Sequence, residues 1–316
     1  MVHLHICYGS DLKIKVNGIA KSARISESKG ANQSETKLMR LLGKGIINRE
    51  IIPHLRVNKH NRLSKEYGMW RVVECIVYKL KTGVQWHLLP MRLFFKNKSI
   101  HWQSVYYHYN RWSADGSWEC VWHQVMSKYK DCLDLSSVDL DGTHSPCKKG
   151  GEEVGYQGRK KAKTTNLHFL TDRKGNVLGC SQPISGDHHD TFEIEKTMAK
   201  ILNDLHAKNL NTVGLFLNAD PGFDCKSLRT ICFQHDIFPN IKENKRNKKS
   251  SESESYPFDN ELYKERYAIE RTNAWVDNFR QLIIRYETKA RNWMGAHYLA
   301  FTIMFLKKNK IVNTYF

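Results

Sequence analysis

No two cysteines in this chain are spaced as CxxC, and none of the eight stands with histidines at zinc-binding spacing. That pattern excludes a zinc module and a disulfide scaffold, and leaves reduced, mostly buried thiols as the expectation. Long hydrophobic runs are missing too. The longest, 299–306 (LAFTIMFL), is far short of the roughly 20 residues a membrane-spanning helix needs. The opening MVHLHICYGSDLKIKV has no continuous apolar segment, so a secretory signal is not expected and a cytoplasmic location is. Acidic residues are scarce against basic ones: Asp+Glu number 32 and Lys+Arg 50, a formal net charge of +18. One stretch, 242–255 (KENKRNKKSSESES), lacks apolar residues altogether and reads as a solvated linker.

What is present suffices for a sizeable core: 316 residues, 41% hydrophobic and 11% aromatic. The charge balance favours a polyanionic partner, but the cations are spread along the chain, so charge alone does not separate DNA from RNA or an anionic membrane surface. Residues 1–35 are polar and aperiodic and read as a poorly ordered leader. Residues 36–130 read as an all-helical domain. Trp70, Val73, Ile76, Val77 and Leu80 recur three and four apart, with Gly83 at the stop. A second stripe (Trp102, Val105, Tyr106, Tyr109, Trp112) and a third (Trp118, Val121, Trp122, Val125) flank Ala114-Asp115-Gly116, which suggests a helix-turn-helix. The aromatics keep helical spacing on one face, as core residues do, so they are expected in the core rather than against bases.

From 131 to 316 the period changes. Strands are expected at 135–140, 166–170, 177–184, 213–217 and 237–241, with a hairpin turn at 172–176. Helices are expected at 191–206, 225–235, 259–287 and 293–308, and a flexible linker at 242–256. The order βββαβαβ implies an α/β (α+β) fold, a mixed five-stranded sheet flanked by helices behind the helical N-terminal domain.

Three carboxylates stand out: Asp141 in SSVDLDGTH, Asp220 in GLFLNADPGFD and Glu270 in YKERYAIERTNAW. The aspartates follow apolar runs that read as buried strands, and such strand ends can lie side by side. Two-metal phosphodiester chemistry needs carboxylates that hold two ions about 3.5–4 Å apart, and Mg²⁺ keeps enough waters that two or three acidic side chains suffice. A lone aspartate after a strand equally caps a turn or a helix. Tyr263, Arg266, Glu270 and Asp277 follow one another at intervals of three, four and seven, which places them on one helical stripe. Arginine beside a metal-binding glutamate can hold a phosphate, and tyrosine can donate to the same backbone; a solvated charged face fits the spacing as well. GDHHD at 186–190 precedes an expected helix and is assigned to its N-terminal cap, not to the site.

These residues resemble the blocks of a DDE-type insertion-sequence transposase of the insertion sequence four/five superfamily, whose catalytic core is ribonuclease H-like. DGT at Asp141, ADPGFD at Asp220 and Tyr-x2-Arg-x3-Glu at Tyr263, Arg266 and Glu270 carry the likeness, with the segments 155–178, 79–90 and 109–119. The resemblance spans roughly 47–308. It implies Asp141, Asp220 and Glu270 as catalytic, metal-holding residues for two Mg²⁺ ions, with Mn²⁺ able to substitute, and Asp139 as a poorer alternative to Asp141. It also implies double-stranded DNA as partner, both terminal inverted repeats and target, and a homodimer that joins two ends. Lys148, Lys149, Arg159, Lys160 and Lys161, with Lys163, Tyr263, Arg266 and Arg271, are the candidates for holding that DNA. The expected activity is metal-dependent strand cleavage and strand transfer; a DNA-binding remnant and a cellular nuclease of the same fold are the alternatives. Two positions depart from the family pattern. Asp277 stands where a lysine is usual, with Arg271 or Arg280 as possible stand-ins, and Pro221 also replaces a commoner lysine.

Overall fold

In the computed structural model the three N-terminal stripes form helices α1 (Met69–Thr82), α2 (Trp102–Ala114) and α3 (Ser117–Lys128). Helix α1 ends where expected: Gly83 takes the left-handed conformation at φ 69°, and its N–H bonds the Lys79 carbonyl. Trp112, Trp118 and Trp122 are fully buried, so the aromatic stripes are core. The structure describes residues 42–57, 62–95, 100–244 and 256–312, all within one unit, Arg40–Phe316. The expected leader 1–35 and residues 245–255 of the expected linker lie outside the described residues.

The second half forms a mixed sheet of β1 (Val138–Pro146), β2 (Gly155–Gln157), β3 (Ala162–Asp172), β4 (Val177–Cys180), β5 (Ile184–Ser185), β6 (Phe216–Ala219) and β7 (Phe238–Ile241), with helices α4 (Ile194–Ala207) and α5 (Lys226–Gln234) between strands. The order is β2-β3-β1-β6-β7, with β4 and β5 also on β3. Strand β1 runs antiparallel to β3 and parallel to β6, and β6 is parallel to β7. The five expected strands are therefore present with shifted ends. The third divides into β4 and β5, and β2 is added, because the polar run 155–163 pairs back on β3.

The expected single helix 259–287 is corrected to three: α6 (Asn260–Lys264), α7 (Tyr267–Asp277) and α8 (Arg280–Ile283). The chain must become extended at Ile284 because Arg285 pairs with strand β1's exit. Arg285 N–H donates to the Pro146 carbonyl at 2.8 Å, and Lys148 N–H donates to the Arg285 carbonyl at 3.2 Å. The last helix, α9 (Ala290–Lys308), is buried on nearly every side and has no polar face, as a helix packed from both directions must be. Trp122 of α3 stacks on its Tyr298, and its Phe301 meets Phe169 of β3 edge-on. The N-terminal helices and the sheet thus share α9 as a common core.

Candidate active site

The register of β1 and β6 decides where the first two carboxylates go. Leu140 pairs with Ala219, so Asp141 and Asp220 each follow one member of a paired couple. Strand β6 stops there while β1 continues along β3, which opens a cleft at the carboxyl end of a parallel pair, the usual place for a site in such sheets. Asp220 also caps the turn Pro221–Phe223: its Oδ1 accepts the Gly222 N–H at 2.8 Å. Pro221 suits the first position of that turn, where no N–H is required.

Helix α7 supplies the third side. Arg266 Nη2 stands 3.6 Å from Asp141 Oδ1, and Asn273 Nδ2 donates to Asp141 Oδ2 at 3.2 Å. Positions 266, 270 and 273 share one helical face, so Glu270 lies between the two residues that touch Asp141. It is exposed and sits in the first turn of α7, where the helix dipole favours a carboxylate. Although α6 and α7 are separate helices, Arg266 Nη1 still reaches the Tyr263 hydroxyl at 3.4 Å.

Burial pushes the Asp141 carboxyl up to about 6; the charges of Asp220 and Asp190 act in the same sense, while Arg266 and the Gly142 N–H oppose it. Asp139 is also raised to about 6 by burial, against a hydrogen bond from Asn218 Nδ2 at 2.9 Å. Asn218 is in turn held by Asn240 at 2.8 Å, so Asp139 belongs to a buried network beneath the cleft.

Two residues of the site carry no signal in the sequence. Asn273 belongs to no motif. Asp190 is expected at a helix cap, and the structure corrects that: α4 is preceded by Glu193 in the left-handed conformation with no side-chain cap. Asp190 instead faces the cleft, where Asn166 Nδ2 donates to its Oδ1 at 3.4 Å.

The basic candidates divide. Lys148, Lys149, Arg159, Lys160 and Lys161 are all exposed. Lys160 Nζ donates to the His144 carbonyl at 3.2 Å, and Arg159, Lys160 and Asp190 all act on the His144 ring, so Arg159 and Lys160 border the cleft. Lys148 and Lys149 lie beyond β1, next to Arg285 and Glu287. Arg271 stacks over Tyr267 with its guanidinium 4.7 Å from the ring centre and neighbours Lys308 rather than Asp141.

Among the described residues, three acidic or histidine ligand atoms lie within 4.8 Å of one another only at Glu119, His123 and Asp204. That cluster already holds a cation: Lys200 Nζ is 2.8 Å from Glu119 and 2.5 Å from Asp204. It ties α3 to α4 and is distinct from the cleft.

Comparison with known proteins matches two segments. Residues 140–304 match the family model described as "DDE superfamily endonuclease". The chain belongs to the DDE superfamily endonucleases. Residues 49–122 match the model for "transposase of IS4/5 family (DUF4096)", and the two together bear out the resemblance to a DDE-type transposase of that group. Among solved structures, the Mos1 transposase paired-end complex with left transposon end is similar at 12% identity over 76% of this chain and 79% of that one, with a TM-score of 0.26. The Mos1 Strand Transfer Complex is similar at 11% identity over 77% and 79%, with a TM-score of 0.29. At these scores neither geometry nor ligands carry over. No curated protein matches the chain.

Proposed function

We propose that this DDE endonuclease is an insertion-sequence transposase that binds terminal inverted repeats through its helical part, residues 36–130, and cuts and joins DNA with Asp141, Asp220 and Glu270. The observation that carries the reading is the convergence on one cleft: Asp141 and Asp220 leave paired parallel strands, and the helix face bearing Glu270 contacts Asp141 on both sides of that glutamate.

The donor set fits divalent ions. Asp141 is half-buried beside like charges, a cost that a cation relieves, and the Asn273 carboxamide oxygen nearby is buried without a partner. Asp141, Asp220 and Glu270 would hold two Mg²⁺ ions, or Mn²⁺ in their place. When bound, the ions supply Lewis-acid activation of the attacking oxygen and stabilisation of the leaving one. The chain's own residues do the rest. Arg266, no longer needed to neutralise Asp141, is placed to hold a phosphate oxygen, with Tyr263 donating beside it. Arg159 and Lys160 draw the strand to the cleft edge. Water and a DNA 3′-hydroxyl are both in-line nucleophiles at phosphorus, so the same site serves cleavage and strand transfer. Joining two ends calls for a homodimer.

The test is nicking of a duplex that carries the DNA flanking the reading frame. With Mg²⁺, the parent cuts at the element end, and Asp141→Asn, Asp220→Asn and Glu270→Gln each bind without cutting. Retained cutting removes that residue from the assignment. Binding without cutting by the parent favours the remnant reading, to which Asp277 would point.

A further inference from the structure

The segment between β5 and α4 approaches the cleft from the side opposite α7. It is pinned at its start: Gly186 N–H donates to the Thr164 carbonyl at 3.1 Å, and Gln157 Nε2 donates to the Gly186 carbonyl at 3.1 Å. Four residues on, both oxygens of Asp190 face catalytic neighbours. A Cβ built on Gly222 would lie 3.0 Å from Asp190 Oδ2 and 2.9 Å from Asp220 Oδ1, so the two oxygens are no further apart than those distances combined. A Cβ on Gly142, beside Asp141, would lie 3.1 Å from His168 Cδ2, 3.2 Å from Asp190 Oδ1 and 3.4 Å from Asn166 Oδ1. The two glycines therefore keep open a cradle that side chains would fill, walled by carboxylate and carboxamide oxygens and the edge of the His168 ring.

Asn166 adds an independent pointer. It is fully buried, its nitrogen serves Asp190 and faces His168 Nε2 at 3.2 Å, and its oxygen is without a partner. A buried carbonyl oxygen with no donor, aimed at the same space as an aspartate, is a hard-cation ligand set. Among the described residues, the ion-pair partner of Asp190 is the buried His168 ring, 3.9 Å away and beyond hydrogen-bond reach.

We infer that Asp190 is a fourth carboxylate of the metal site, holding a divalent ion with Asp220 beyond the end of β6 and with the Asn166 carboxamide oxygen beside it. The inference rests on the metal-dependent reading proposed above. If Asp190 only tied its loop to Asn166, an asparagine in its place would keep that bond and nothing else would change.

The experiment is titration of the full chain, without DNA, by Mn²⁺, with free ion followed by electron paramagnetic resonance. Parent, Asp141→Asn, Asp190→Asn and Asp190→Ser are compared, and thermal unfolding in EDTA identifies which Asp190 variant keeps the parent's stability. The expected result is that Asp141→Asn and Asp190→Asn each raise the Mn²⁺ dissociation constant by about tenfold or more, the scale seen when metal-site partners are removed. If Asp141→Asn weakens binding and the stable Asp190 variant matches the parent, Asp190 is no ligand and the inference falls alone. If the parent does not bind Mn²⁺, or Asp141→Asn leaves binding unchanged, the metal-site reading falls and takes the inference with it.

Discussion

Asp141 is the residue on which the proposed chemistry and stability pull apart. Its pKa in the fold, about 6, lies above its ordinary 3.8, so the folded chain holds this proton more tightly than the unfolded chain does. Stability attributable to Asp141 is therefore lost as pH rises from 3.8 to about 6, and the loss is complete above that window. The full cost is on the order of 1–3 kcal/mol. In EDTA at pH 8, Asp141→Asn should melt above the parent, and the difference should vanish below pH 4; an unchanged or lower melting temperature at pH 8 contradicts this. Asp141 and Asp220 are legible in the sequence because each follows an apolar strand. Asp190 is not, because it lies in an irregular segment whose direction is set by bonds from Gly186 to Thr164 and from Gln157. Asn273 is invisible for a related reason: only docking of α7 on β1 gives an exposed-looking amide its role.

Among the elements, α9 is the helix buried on nearly every side. Gly295 lies within this helix, where alanine would ordinarily gain about 1 kcal/mol. Here a Cβ would stand 2.5 Å from Ser113 Oγ of α2 and 2.9 Å from Trp118 Cδ1 of α3. Overpacking wins, so Gly295→Ala should lower stability by about 1–3 kcal/mol in denaturant unfolding; a gain in stability would show that α2 and α3 do not approach α9 so closely. Strands and helices with strong period are legible in the sequence. The end of the helical segment at Ile283 is not, since nothing local marks it. It exists because Arg285 must run extended to pair at Cys147, its guanidinium donating to Thr165 Oγ1 at 2.5 Å.

For the whole molecule, a net charge of +18 and exposed cations at the cleft edge set the terms of the proposed DNA binding. Among the described residues, no helix is long and apolar enough to cross a membrane. Affinity should fall steeply with salt, and an Arg159→Gln, Lys160→Gln variant should reduce the slope of log K against log salt by about 0.9 for each phosphate it no longer neutralises. Fluorescence anisotropy across a salt series measures this, and an unchanged slope would move the DNA path away from the β2–β3 edge.

Residues far apart in sequence meet in the cleft as one proposed metal site, while the Glu119, His123 and Asp204 cluster remains a lysine-neutralised tie. Fe²⁺ loaded in place of Mg²⁺, with hydrogen peroxide as oxidant and ascorbate to re-reduce the iron, generates hydroxyl radicals that cut the backbone beside the bound ion. Mapping those cuts on the intact chain should place them around residues 141, 220 and 270, all competed away by Mg²⁺. Cuts confined to the neighbourhood of 119, 123 and 204, or none that Mg²⁺ suppresses, would rule the cleft out as the metal site.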